Sequence, residues 1–167
     1  MFLQGIKEES MKAKNKLLTL LILSAGAAVT TAGINKAIQF SAISKNFLAE
    51  PEPLCFKWRL GNVYYTKEGT GKPLLLIHDL DTCTSGYEWK QLIPFLSSKY
   101  TIYTIDLLGF GRSEKANMTY TNFLYVQLIS DFIKSEIGHR TSIITSGEAA
   151  SIPLMACANN PDLFDQI

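Results

Sequence analysis

The sequence predicts an α/β fold built on a mostly parallel sheet and preceded by an apolar N-terminal helix, and three stretches carry that expectation. Leu74 to Ile77 is an unbroken apolar run leading into His78-Asp79, the pattern of a strand covered on both faces. Trp89, Leu92, Ile93 and Leu96 then recur at helical spacing, and a second apolar run follows from Ile102 to Ile105. Strand, crossover helix, strand is a parallel unit, because parallel neighbours need a long connection between them.

Residues 1–16 form a basic flank carrying Lys7, Lys12, Lys14 and Lys16. Residues 17–34 run for 18 positions without a charge, at the lower edge of what a membrane-spanning helix needs. Span length favours an uncleaved anchor. The small residues Ala25-Gly26-Ala27 suit a cleaved secretory signal, and a buried soluble helix is the third reading. The lysines before the span outnumber Lys36 and Lys45 after it, so the expectation is a single-pass membrane protein with its domain outside the cytoplasm, or a secreted one after cleavage. Residues 35–55 read as a linker ending in Pro51-Glu52-Pro53.

The domain is expected over 56–167. Gly61-Asn62, between Lys57–Leu60 and Val63–Thr66, reads as the closing pair of a hairpin. Gly71-Lys72 lacks the remaining positions of a phosphate loop, and Gly109-Phe110-Gly111 has Glu114 where a dinucleotide fingerprint needs its third glycine. Tyr120 to Ile137 is the clearest helix, with Leu124, Leu128, Ile129, Phe132, Ile133 and Ile137 on one face, Thr121 as cap and Gly138 at the end. Thr141 to Thr145 supplies a third parallel strand, whose Ser142–Thr145 edge is expected to be exposed. Ser146 to Ala150 turns sharply into a helix over Ala150 to Asn159, which Pro153 is expected to kink.

A net charge of +1 with dispersed lysines argues against a nucleic-acid surface. Cys55, Cys83 and Cys157 have no metal-ligand spacing and form no disulfide framework, and no motif calls for a cofactor. Asn117-Met118-Thr119 is a glycosylation signal that would matter only in a glycosylating secretory pathway.

The apolar strand ending in His78-Asp79, the segment bearing Trp89 and the strand ending in Asp106-Leu107-Leu108-Gly109-Phe110-Gly111-Arg112-Ser113 together resemble the N-terminal half of the α/β-hydrolase fold family, over about Lys57 to Ile167. The family usually has Gly where this chain has Asp79. The resemblance implies a truncated α/β-hydrolase fold and chemistry of the ester-hydrolysing kind. It implies a nucleophilic serine in G-x-S-x-G at the turn after the third parallel strand. The aligned residues are Thr145-Ser146-Gly147-Glu148-Ala149, so the nucleophile position is Gly147, which has no side chain. Ser146, one residue earlier, would have the bulky flanks Ile144 and Glu148.

The resemblance also implies oxyanion-hole N–H groups at Leu80 and Glu148, with Asp79, Asp81 and Glu148 around them. A carboxylate about 6 Å from an oxyanion would cost roughly 3 kcal/mol at an effective dielectric of about 20, and the same acidic groups would suit a cationic ligand. His78 aligns with the oxyanion loop, His139 with the loop before the third strand and Asp106 with loop ordering, so none is expected to be catalytic. In the family the acid and histidine of the triad come after the nucleophile, which here means beyond Ile167. The expectation is a membrane-anchored, catalytically impaired or incomplete hydrolase-type protein with an unknown small-molecule ligand. The alternative is an active ester hydrolase whose remaining triad residues lie past residue 167.

Overall fold

The structure is a computed structural model that describes residues 16, 30, 31, 33–38, 40, 41 and 53–167. The chain divides into two units, Met1–Phe47 and Leu48–Ile167. In the first, every described residue is helical and exposed, Ile34, Ile38 and Phe40 included. Most of the span expected over 17–34 lies outside the described residues, among which no helix is long and apolar enough to cross a membrane. Residues 35–38, 40 and 41, read from the sequence as the start of a linker, are helical.

The second unit is a five-stranded mixed sheet: β1 (Leu54–Trp58), β2 (Gly61–Glu68), β3 (Lys72–Ile77), β4 (Tyr100–Ile105) and β5 (Ser142–Thr145), in the order β1-β2-β4-β3-β5. β3 lies between β4 and β5 and is parallel to both, while β2 runs antiparallel to β4 and to β1. Alternation along the central strands sends Leu75, Ile77, Tyr103 and Ile105 into the larger core and Leu74, Leu76 and Ile102 into a smaller one on the other face. Two helices lie between strands, α1 (Ile93–Leu96) and α2 (Asn122–Phe132), and a third, α3 (Ser151–Asn159), follows β5. The larger core takes Leu128, Ile129 and Phe132 of α2 with Ile152 and Ala156 of α3, and the smaller takes Trp89, Ile93 and Leu96.

The hairpin closes earlier than the turn signal suggests. Trp58 pairs with Gly61, so Arg59-Leu60 is the loop and Gly61-Asn62 already belongs to β2, while β1 runs over Leu54–Trp58 rather than Lys57–Leu60. Side-chain alternation decides this register, since a one-residue slip would turn the apolar set outward. Phe56, Trp58, Val63 and Tyr65 are all buried, and Trp58 Nε1 donates to Asp131 Oδ2 at 2.9 Å.

The β3-to-β4 crossover is two short pieces instead of one helix: a 3₁₀ turn, Gly86–Trp89, and the single turn α1. Pro94 has no N–H to return to Lys90, so a continuous helix would break there; in the first turn of a new helix it removes nothing. α2 matches its sequence signals, with the Thr121 hydroxyl accepting the Leu124 N–H at 3.2 Å. The helix widens to a π turn over Ile133–Ile137, and left-handed Gly138 closes it.

Two further expectations are corrected. A 3₁₀ turn, Gly147–Ala150, precedes α3, so Pro153 falls in the first turn of α3, where N–H groups lack intrahelical acceptors, and no mid-helix break arises. The outer edge of β5 is also partly covered. Thr141 N–H donates to Leu163 O at 3.0 Å, Ile143 N–H to Gln166 O at 2.8 Å, and Asp165 N–H to Thr141 O at 2.9 Å. Arg140 clamps that segment, Nε donating to Asp165 Oδ1 at 2.9 Å and Nη2 to Phe164 O at 2.6 Å. Replacing Arg140→Ala should ease local opening by about 1 kcal/mol, the net worth of one such bond, and speed exchange of the Ile143 amide about fivefold. Unchanged protection of that amide in native-state hydrogen exchange would mean the clamp does not hold the edge.

Candidate active site

The site lies at the C-terminal ends of β3, β4 and β5, where open α/β sheets present ligands to their loops. Asp106, buried at the end of β4, organises two of those loops. Its Oδ1 accepts the Gly86 N–H at 2.7 Å, and its Oδ2 accepts the Arg112 N–H at 2.9 Å and lies 3.4 Å from Arg112 Nε. Gly111, at φ +47°, leaves the carboxylate room, because any Cβ there would overlap it. Asp106 thus takes the loop-ordering role implied by the resemblance.

His78 ties β3 to β4 from beneath. It is fully buried, its Nε2 accepts the Leu107 N–H at 2.9 Å, and its Nδ1–H donates to Asp79 O at 2.6 Å. The tautomer follows, because a nitrogen that accepts a backbone N–H carries no proton. Both nitrogens are engaged, so His78 is a structural member. Burial lowers its pKa below the ordinary value of 6.5, against the opposing pull of its bond to Asp79 and of the neighbouring carboxylates.

The turn between β5 and α3 is the strand-to-helix corner that the sequence indicates. Gly147 is its left-handed residue, at φ +55°, while Ser146 before it is ordinary extended backbone at φ −116°. Leu80 N–H and Glu148 N–H converge, as the resemblance implies for an oxyanion hole. They converge on Asp79, whose Oδ1 accepts from Leu80 at 2.7 Å and from Glu148 at 2.8 Å. A Cβ on Gly147 would overlap the Asp79 carboxylate.

The acidic cluster therefore resolves into three separate roles. Asp79 occupies the N–H pair; Asp81 turns back to its own loop, Oδ1 accepting the Thr82 N–H at 2.6 Å; Glu148 is exposed and contributes its N–H. One Asp79 oxygen is therefore engaged by two N–H donors before any cationic ligand arrives. Ser146 Oγ donates to the carboxylate of Glu88, a partner the sequence did not suggest, and His139 lies in the loop preceding β5. Among the described residues no group of acidic, histidine and cysteine side chains could hold a metal ion.

This arrangement of strands, loops and corner is an α/β-hydrolase-like fold. It is similar to the meta-cleavage product hydrolase of Pseudomonas fluorescens, with a TM-score of 0.63 and 22% identity over 67% of this chain and 42% of that one. It is likewise similar to an α/β hydrolase fold protein of Burkholderia ambifaria, with a TM-score of 0.61 and 20% identity over 66% of this chain and 40% of that one. Among curated proteins, 2-hydroxy-6-oxo-6-(2'-aminophenyl)hexa-2,4-dienoic acid hydrolase of Metapseudomonas resinovorans is 35% identical over 72 residues, 42% of this chain and 25% of that protein. The soluble epoxide hydrolase of a Corynebacterium species is 27% identical over 106 residues, 63% of this chain and 36% of that protein. No family model matches. The relatives and the solved structures together support the α/β-hydrolase fold family; the chain spans 25% and 36% of the length of the two curated relatives.

The neutral, buried His78 makes stability depend on pH with a definite sign. A folded-state pKa below 6.5 means that the unfolded chain binds this proton more readily. The contribution is fully present above about 6.5 and is lost as pH falls from there toward the folded value, by at most about 1.4 kcal/mol per pH unit. His78→Gln, which keeps an acceptor near Leu107 N–H, should flatten this part of the dependence in urea titrations at pH 5 and 7.5. An equally steep dependence in the variant would move the effect to another group.

Proposed function

We propose that this chain is an α/β-hydrolase-type protein whose strand-to-helix corner does not carry out ester hydrolysis, and that the scaffold serves to bind a small molecule. One observation carries the reading: the Asp79 carboxylate sits on both converging N–H groups beside a residue without a side chain. Catalysis at such a corner needs those donors for the oxygen that becomes negative in the transition state. Here a carboxylate holds them, and a second negative oxygen at the same place would be repelled.

Purified protein should turn over p-nitrophenyl acetate and butyrate no faster than buffer and should resist a fluorophosphonate probe. Labelling of the native protein by the probe would end this reading. Gly147→Ser alone should lose about 2–4 kcal/mol, since its Cβ adds overlap with Asp79 to a left-handed backbone. Adding Asp79→Gly should recover at least half of that loss in urea denaturation. If the two changes add independently, the carboxylate is not what excludes a side chain at position 147.

A second reading, an active ester hydrolase with Ser146 as nucleophile and its remaining triad residues in a longer chain, is favoured by the bond from Ser146 Oγ to the Glu88 carboxylate. Ester turnover that disappears in Ser146→Ala would establish it. Membrane attachment through 17–34 belongs to both readings and rests on the length of that span and its lysine flank. Retention of the chain in membranes through alkaline carbonate extraction supports it, and release into the supernatant removes it.

A further inference from the structure

We propose that the cleft between β2, β4 and the Ser85–Pro94 segment is a second ligand site, separate from the corner, that takes a small carboxylate with a short apolar tail. The cleft encloses about 210 Å³ and lies against Thr104, Arg112, Lys90, Ile93 and Pro94. Thr104 belongs to the sheet face that bears Ile102, opposite the larger core, and is 5% exposed. Its Oγ1 has no hydrogen-bond partner, although Thr66, across from it in the β2–β4 register, brings a second hydroxyl into the same lining. Buried hydroxyls are nearly always paired, so an orphan on a residue that lines a cleft points to something that enters it.

A second orphan belongs to another lining residue. Arg112 Nη1 is buried and unpaired, while the Arg112 N–H and Nε reach Asp106 Oδ2 at 2.9 and 3.4 Å. Asp106 also lines the cleft, but its oxygens already accept the Arg112 and Gly86 N–H groups. The unanswered groups on these lining residues are thus able to donate: the guanidinium Nη1 with its two N–H bonds, and one hydroxyl. A carboxylate offers both an acceptor oxygen and adds the charge-assisted bond that guanidinium favours. Lys90, whose ammonium lies 5.1 Å from the centre of the Tyr87 ring, adds positive charge to the lining, with Glu68 as the exposed acidic counterpart. Ile93 and Pro94 give the tail an apolar wall, and the volume suits a chain of a few carbons.

The test is titration of the full chain with sodium butyrate against sodium chloride at equal ionic strength, followed through the amide resonances of Gly86, Thr104 and Arg112. Saturable shifts at these three with butyrate alone are expected, while Leu80 and Glu148 at the corner stay still. Thr104→Val keeps the shape and removes the hydroxyl. It should weaken butyrate binding about tenfold and leave the melting temperature unchanged or higher, because the lost group had no partner in the free protein. No saturable response, the same response to chloride, or undiminished binding in Thr104→Val would overturn the site. A lower melting temperature in Thr104→Val would also overturn it, since the hydroxyl would then have a protein partner. The corner plays no part in this reading, so ester turnover leaves it untouched.

Discussion

Two backbone N–H groups aimed at one point make a local positive potential that something must answer. Here the donors come from loops far apart in sequence, at Leu80 and Glu148, and one oxygen of Asp79 accepts from both. Charge-assisted bonds of this kind are about twice as strong as neutral ones. The carboxylate reaches them only because residue 147 has no Cβ. Asp79 and Gly147 therefore form one feature: a side chain at the corner and a carboxylate in the N–H pair cannot both be accommodated.

What brings the two loops to that point is the end of the parallel sheet. Asp106 draws in the Gly86 and Arg112 backbones from one side, and His78 joins the last residue region of β3 to Leu107. The ring of Phe110 lies 5.1 Å from that of His78 and closes the assembly from the larger core. On the far side of β4, Trp58 fastens β1 to Asp131 of α2, and Tyr65 fastens β2 to the π turn that follows, its hydroxyl donating to Glu136 Oε2 at 2.6 Å. Burial and that acceptor both push the Tyr65 phenol up from its ordinary value of 10.0, which keeps its proton on the oxygen as a donor.

The strands and the corner were legible because they depend on local pattern. Leu74–Ile77, Ile102–Ile105 and the Asp106–Ser113 loop each announce themselves within eight residues. The hairpin loop was misplaced because Gly61-Asn62 is a good turn pair, whereas its register follows from which side chains the core buries, Trp58 among them, bonded to Asp131, 73 residues away. Asp79 was visible as a departure from the family pattern but not as the occupant of the N–H pair, since that depends on Glu148, 69 residues later. Nothing in the sequence marks Thr104 as unpaired. Strand threonines usually find a partner, and its isolation emerges only when the sheet and the crossover are assembled around it.

The corner also separates what the architecture needs from what chemistry needs. A parallel strand that must hand over at once to a helix packed on the sheet requires a sharp change of direction, and one residue in the left-handed region supplies it. Any side chain there incurs about 1–2 kcal/mol of backbone strain, which an enzyme accepts in order to lift a nucleophile clear of the sheet. Glycine incurs almost none. The turn at Gly147 is therefore the conformation this connection demands with the strain removed, so the fold accounts for the corner whether or not a reaction takes place there.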